Sequence, residues 1–377
     1  MTRPSILFVA SVGLLCSACD ELAPDPQPKP LPEQQVETLE ATIEELDNEF
    51  EGMGIALAVR TGSGAQWAGA LGLRNLRTPL EAGDVAQFGS VTKTVTATVT
   101  LQLVEEGLLS LDDTIDTFGI DLPHADTITV QQLLSHRSGL FNYTDDEAFM
   151  ASLGETPQTA DAVFDVVDDY EPLFPPGAAW TYSNTNYMAL GVILESVTGQ
   201  PLEDIFYARV FGPLGMEDTG LTDRDPIPGP LAHGFMEEDG VLEDVTFAFN
   251  KRAQGPDGAL FSTLDDMLTW SHALYGGELL DPETLEAVVA PRSAEIVSPV
   301  AAAYGFEGGD YGLGTIVLED ELLGAVWGHA GNIRGYTAYV GYVPTLDVAV
   351  AFYTTQDSAD GLVAARQIAT ALHDFDR

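Results

Sequence analysis

The stretch with the clearest chemical content is Phe88-Gly89-Ser90-Val91-Thr92-Lys93, a serine three residues ahead of a lysine. If Ser90 opens a helix, Lys93 lies one turn on and on the same face, where its amine reaches the hydroxyl. A serine hydroxyl is a weak nucleophile until something takes its proton. A lysine held in a dry cleft has a lowered pKa and can be that base, and a helix N-terminus favours the negative charge that develops. Alone the motif is weak. Even with only Lys29, Lys93 and Lys251 in the chain, a chance Ser-x-x-Lys is expected about one time in ten. Two further stretches add to it. Trp180-Thr181-Tyr182-Ser183-Asn184 offers a phenol and an amide just before a helical pattern, and Gly328-His329-Ala330-Gly331 sits at the end of an apolar strand.

The elements between these stretches must bring them together. Val36, Leu39, Ile43 and Leu46 recur at three- and four-residue spacing with acids between, which predicts an amphipathic helix over Val36–Phe50. Ile55–Val59 and Gln66–Leu71 flank the turn Thr61-Gly62-Ser63-Gly64 and read as a β-hairpin. From Asp112 to Pro230 the signals are mostly helical, at Val130–Ser135, Tyr187–Val197 and Leu202–Phe211. An amphipathic stretch, Leu264–Leu274, precedes strand patterns at Gly312–Leu318, Leu323–Trp327, Tyr336–Val343 and Val348–Tyr353, and Ala359–Phe375 closes the chain as a helix. This order predicts an α+β fold in residues 36–377, an antiparallel sheet flanked by helices with a mostly helical lobe inserted at roughly 110–235. One signal conflicts. Val91–Val99 is rich in β-branched residues, and propensity alone makes it a strand. The chemistry needs a helix there, and Leu101, Leu103 and Val104 running into Glu105-Glu106-Gly107 supply a buried one with a glycine stop.

Taken in order, Ser90-x-x-Lys93, Tyr182-x-Asn184 and His329-x-Gly331 resemble the motifs of the penicillin-recognising serine hydrolases. These are the serine D-alanyl-D-alanine carboxypeptidases, class C β-lactamases and β-lactamase-like esterases. The likeness covers roughly residues 40–375 and extends to Leu133–Leu140, Pro176-Gly177, Tyr182–Tyr187, Pro213–Met216 and Gly331–Tyr336. The His-x-Gly form and the context of Ser90 look most like soluble DD-carboxypeptidases. The resemblance implies a β-lactamase/transpeptidase-like fold, a small-molecule or peptide substrate and no cofactor. It also implies roles. Ser90 attacks the carbonyl, Lys93 and Tyr182 share the proton, and Tyr182 passes it to the leaving group. Asn184 bonds Lys93 and the substrate amide, and the N–H groups of Ser90 and Asn332 form an oxyanion hole. Gly331 lets substrate lie along the His329 strand. Which of Lys93 and Tyr182 is the base stays open.

The chain departs from the carboxypeptidase pattern where those enzymes hold the terminal carboxylate of their substrate. Hydroxyls on the His-x-Gly strand and a nearby cation are replaced by Ala330, Asn332 and Ile316. Either Arg334 supplies the charge or the substrates are esters and amides without that carboxylate. Three functions compete: a DD-carboxypeptidase-like serine hydrolase, a β-lactamase-like carboxylesterase or β-lactamase, and a non-catalytic relative that binds wall peptides. No Gly-x-Ser-x-Gly elbow occurs, which sets aside an α/β-hydrolase. His136 reads as a structural hydrogen-bonder beside Ser138-Gly139. His124, His233, His272 and His373 have no metal-ligand spacing, so no metal site is expected. Tyr143, Phe149, Trp180 and Trp327 read as core or cleft aromatics.

Composition narrows the partners. The 377 residues carry 15 Lys+Arg against 59 Asp+Glu, a net charge of −44, which excludes nucleic-acid binding driven by phosphate contacts. A content of 45% hydrophobic residues is enough for a core. Arg3 followed by Ile6–Ala10 and Leu14-Leu15 reads as a secretory signal over residues 1–18, and Leu15-Cys16-Ser17-Ala18-Cys19 as a lipoprotein cleavage site. The expectation is an exported, bacterial envelope protein lipid-anchored at Cys19, with residues 19–35 as a proline-rich tether. With only Cys16 and Cys19 present, cysteine catalysis within the domain is excluded. Scarce lysine under heavy acidity also suggests adaptation to a saline medium. If so, the melting temperature keeps rising past about 1 M salt, where simple screening is already spent; a melting temperature flat across molar salt refutes it.

Overall fold

The computed structural model describes residues 29–50, 52–152, 159–222, 224–238, 240–246, 255–356 and 359–375. The expected signal and the lipidation site at Cys19 lie outside them, and no described helix is long and apolar enough to cross a membrane. From Lys29 the chain is already docked. Lys29–Pro30 pairs parallel with Ala65-Gln66, Leu31 is buried, and the first helix begins at Glu33.

One sheet of eight strands organises the molecule. Its order is Lys29–Pro30, Ala65–Gly72, Gly54–Thr61, Val348–Thr354, Tyr336–Val343, Gly324–Ile333, Ile316–Asp320 and Gly308–Tyr311. Every pairing but the first is antiparallel. The N-terminal hairpin therefore completes a sheet built from the C-terminal half, and the helical segments between them lie outside it. Alternation along Gly54–Thr61 sorts the two faces. Ile55, Leu57 and Val59 enter a core with helices Glu33–Phe50 and Gly361–Leu372, while Ala56 and Ala58 face a larger core shared with helix Leu264–Tyr275 and the helices before it. Large side chains on one face and small ones on the other let a helix approach closely on the small side.

Over Val91–Val99, where propensity and the chemistry point to different elements, burial decides for the helix. The helix runs Thr92–Glu105, and every residue from Thr92 to Leu101 is buried. Its threonines would expose unsatisfied hydroxyls in that core. Instead Thr94, Thr96, Thr98 and Thr100 each donate to the carbonyl three or four residues back, and Thr92 donates to Gly89 O. The β-branched side chains that favour a strand locally thus pack a central helix, because tertiary contacts outweigh a propensity difference of a few tenths of a kcal/mol per residue.

Other expectations shift by registry. The predicted strand Gly312–Leu318 is two strands, Gly308–Tyr311 and Ile316–Asp320, joined by a turn in which Gly314 has φ +79°. The strand predicted at Leu323–Trp327 continues to Ile333, so His329 and Gly331 lie within it and not after it. Among the described residues, a small sheet that no period-2 pattern announced joins Ala86–Gly89, Leu260–Ser262 and Gly220–Leu221. It delivers Ser90 to the main sheet. Gly89 adopts φ +49°, a left-handed conformation costly for any other residue, and a Cβ there would come within 2.9 Å of Asn332 O. A Cβ on Gly331 would sit 1.9 Å from Phe88 O and 3.3 Å from Ser90 N. Replacing Gly331 by Ala should therefore separate the two backbones. The expected cost is about 1–3 kcal/mol of stability, with a loss of Ser90 acylation by a fluorophosphonate that exceeds what the fall in melting temperature explains. Full labelling at the wild-type rate would show the approach is not needed.

Candidate active site

Ser90 precedes the first turn of the central helix, half-buried, and Lys93 follows one turn on, fully buried. The predicted geometry is present: Lys93 Nζ lies 3.0 Å from Ser90 Oγ. Nζ also donates to Asn184 Oδ1 at 2.7 Å and to the backbone carbonyl of Asp257 at 2.6 Å, so its three donor positions are all engaged. Asn184 is the first residue of helix Asn184–Thr198. It is itself held by Asn142 Oδ1, which accepts its N–H at 2.9 Å, and by Thr144 Oγ1, which accepts from Nδ2 at 3.1 Å. Tyr182 closes the group. Its ring lies 5.0 Å from Nζ, and with Ser90 it lines both cavities that open on the nucleophile.

Burial sets the electrostatics. Desolvation pulls Lys93 down to about 7, and the nearby Asp257 carboxyl pulls it partly back up. A large fraction of Lys93 is thus a neutral amine at neutral pH, able to accept the Ser90 proton. Burial instead pushes the Tyr182 phenol well above its ordinary value. Tyr182 stays protonated and is fitted to donate and relay a proton, while Lys93 is fitted to be the base.

The strand Gly324–Ile333 forms the facing wall. His329 is buried and held well below its usual value, at about 3, by burial and then by the Lys93 charge. Its tautomer follows from a chain of hydrogen bonds. The Ser183 N–H and the Asn186 amide both point at His136 Nδ1, which must accept, so His136 Nε2 carries the proton toward Tyr311 Oη, 3.2 Å away. Tyr311 then donates to His329 Nε2 at 3.0 Å, which leaves His329 Nδ1–H for Ala330 O. His136 is structural, as its sequence context suggested. It aligns a neutral His329 beside the nucleophile. Asn332 and Arg334 are exposed, and both line a cavity of about 630 Å³ with Ser90, Tyr182 and Asn184. Asn332 Nδ2 donates to Thr337 Oγ1 at 3.2 Å, and Arg334 Nε lies 2.9 Å from Met236 Sδ. A second cavity of about 380 Å³ lies past Ala330, between Ile316 and Asp360. Gly331 brings its strand against Phe88 and Ser90, as described above.

Two functional residues escaped the sequence reading. Asp257 is buried at 1% exposure, its carbonyl holds Lys93, and its Oδ2 accepts from Tyr143 Oη at 2.7 Å. Tyr143, read only as an aromatic of core or cleft, is thus a buried hydrogen-bond donor behind the site. Tyr311 couples two histidines 193 positions apart, His136 and His329. A lone Asp in Gln254-Gly255-Pro256-Asp257-Gly258 carries no periodic or motif signal, so only the folded chain shows it. Among the described residues, no group of His, Cys, Asp and Glu is arranged to hold a metal ion.

The comparisons place this arrangement in a family. Residues 39–373 match the Beta-lactamase family model. This chain belongs to the beta-lactamase family. It is similar to penicillin-binding protein 4* of Bacillus subtilis (strain 168), 26% identical over 275 residues that make up 69% of this chain and 58% of that protein. It is also similar to a D-aminopeptidase of Cereibacter sphaeroides, 26% identical over 350 residues, 89% of this chain and 63% of that protein. The chain therefore spans less than two thirds of the length of these relatives. Among solved structures it matches a D-stereospecific amidohydrolase from Streptomyces sp. with a TM-score of 0.76, 29% identity and coverage of 88% of this chain and 98% of that one.

The buried carboxyl beside Lys93 yields a pH prediction. If Lys93 must lose its proton to accept that of Ser90, acylation rises with pH through about 7, the value burial sets. Asp257→Asn keeps the carbonyl and an acceptor for Tyr143 but removes the charge that favours the ammonium. Its acid limb is expected to move to lower pH, a readout that simple loosening of the site would leave in place. A limb that stays put or moves upward refutes the assignment.

Proposed function

We propose that this chain is a serine hydrolase that acts through an acyl-serine on Ser90, cleaving amides of D-configured amino acids whose leaving side carries no carboxylate. The observation that carries the reading is the convergence on one half-buried Ser90 hydroxyl of Lys93, hydrogen-bonded to it and to Asn184, and of Tyr182, whose ring lies 5.0 Å from Nζ. Lys93 takes the Ser90 proton as Oγ bonds to the substrate carbonyl carbon. The oxyanion lies against the N–H groups of Ser90 and Asn332, which the Gly89 and Gly331 contacts hold together. The proton returns through Tyr182 to the leaving nitrogen, and water then attacks the acyl-serine by the same route. Asn184 fixes the Lys93 amine and is placed to bond the substrate amide.

The cavity past Ala330 supports the substrate class. Where a carboxypeptidase clamp would need free hydroxyls and a cation, the lining has Ile316, Ala330, a Thr337 hydroxyl that already donates to Ala359 O, and Asp360, with no lysine or arginine among the described residues. A negative wall repels a terminal carboxylate and admits a neutral amide or an amine. Arg334 faces the other cavity. The names of the D-aminopeptidase and the D-stereospecific amidohydrolase lend weight to D-configured amides. The same wall favours a second reading, a carboxylesterase, since simple esters also lack that carboxylate.

The deciding experiment compares the protein and Ser90→Ala on D-phenylalanine amide, p-nitrophenyl butyrate, a chromogenic cephalosporin and a peptide ending in D-Ala-D-Ala. The D-amide is expected to turn over fastest among the amides, with losses of about 10²–10⁴-fold in Ser90→Ala and in Lys93→Met. Preference for the D-Ala-D-Ala peptide would overturn the substrate class. Identical rates in the variants would overturn the mechanism.

A further inference from the structure

A third cavity, about 710 Å³, shares no lining residue with the two that flank Ser90. Its walls bring together Arg137, Arg292, Trp180 and Asp310 from four separate segments. Three of the residues lining it each carry a buried polar atom with no hydrogen-bond partner among the described residues: Trp180 Nε1, Arg292 Nε and Asp310 Oδ2. Buried donors and acceptors are almost always paired, because an unpaired one costs about 1–3 kcal/mol, so three around one cavity mark a place built for polar contacts.

The charges define what fits. Arg60, Arg74, Arg209, Arg224 and Arg366 each lie within 4 Å of a carboxylate. In a chain with 59 acids to 15 bases, Arg137 and Arg292 share a cavity and have no such partner among the described residues. Both are half-buried and anchored on carbonyls, Arg137 Nη2 on Gly177 O and Arg292 Nη2 on Ala287 O at 3.0 Å. The anchors hold the guanidiniums in place and leave other N–H groups uncommitted. Burial disfavours the Arg292 charge, Asp310 favours it and Arg137 opposes it, so an added anion would relieve the strain.

Asp310 supplies the opposite sign. It is buried at 5% exposure, and its Oδ1 accepts four donors: the N–H groups of Arg292, Ser293 and Tyr311, and the Ser293 hydroxyl. That set fixes the carboxylate and leaves Oδ2 without a partner among the described residues, on a residue that lines the cavity. Two guanidiniums, an indole N–H and one carboxylate oxygen complement a molecule with a carboxylate at one end and an ammonium at the other. A plain anion would leave Asp310 Oδ2 unanswered. A plain amine would meet two arginines.

We propose that Arg137, Arg292, Trp180 and Asp310 form a binding site, separate from the Ser90 cleft, for a free amino acid or a comparably small zwitterionic peptide. The carboxylate lies between the two guanidiniums and accepts from Trp180 Nε1, and the ammonium donates to Asp310 Oδ2.

The test follows the indole N–H resonance of Trp180, identified by its loss in Trp180→Phe, during titration of the full chain with alanine, with propionate and with alanine methyl ester. Alanine is expected to shift that resonance saturably. Propionate lacks the ammonium and the ester lacks the carboxylate, and each should bind at least about tenfold more weakly, as expected for losing one charge-assisted contact. Arg137→Gln and Arg292→Gln should weaken alanine to a similar degree while p-nitrophenyl butyrate hydrolysis and the melting temperature stay near wild type. Asp310→Asn should weaken alanine and spare propionate. Propionate binding as tightly as alanine would overturn the zwitterion assignment, and an indole resonance unmoved by all three probes would overturn the site. The three-probe comparison uses the unaltered protein, so it stands even if a variant fails to fold.

Discussion

The active centre depends on keeping one lysine amine dry. Lys93 is enclosed between the central helix, helix Asn184–Thr198 and the loop at Asp257, and it meets an acceptor in each direction it can donate. Exclusion of water lowers its basicity to a useful value, and the same exclusion makes every unpaired contact costly. The surrounding structure answers that demand. Asn142 and Thr144 hold Asn184, Tyr143 holds Asp257, and the threonines of the central helix turn their hydroxyls back on its own carbonyls.

A second layer does for the strand wall what the first does for the lysine. The chain from His136 through Tyr311 to His329 assigns each proton in turn, beginning from a backbone N–H that can only donate. A neutral imidazole beside Lys93 avoids a second buried cation. In a chain of net charge −44 the positive charges at this centre are few and individually placed. The two arginines of the third cavity stand out against that background.

Much of this was legible in the sequence because it rests on local spacing. The three-residue interval from Ser90 to Lys93 implies one helical turn, and the hairpin around Gly62–Gly64 and the helices at both ends of the domain follow from periodicity. Legibility failed where a pattern was short or contradicted by burial. Gly308–Tyr311 and Leu260–Ser262 are too brief to show a period, and the turn at Gly314 was absorbed into one long apolar run. Asp257 and Tyr311 carry no motif at all. Their importance arises from which distant groups they touch.

The sequence by itself determined which reactive groups exist and which of them could lie one turn apart, since helical geometry and hydropathy act over a few residues. It also determined that neither cysteine nor nucleic-acid chemistry could be central, because the chain has no cysteine beyond Cys19 and only 15 basic residues against 59 acidic ones. Only the tertiary structure decided that a threonine- and valine-rich segment is a helix, that Lys93 is sealed from water, and that Arg137 and Arg292 converge around Asp310. Burial and electrostatic environment are sums over neighbours drawn from the whole chain. No window of sequence contains them.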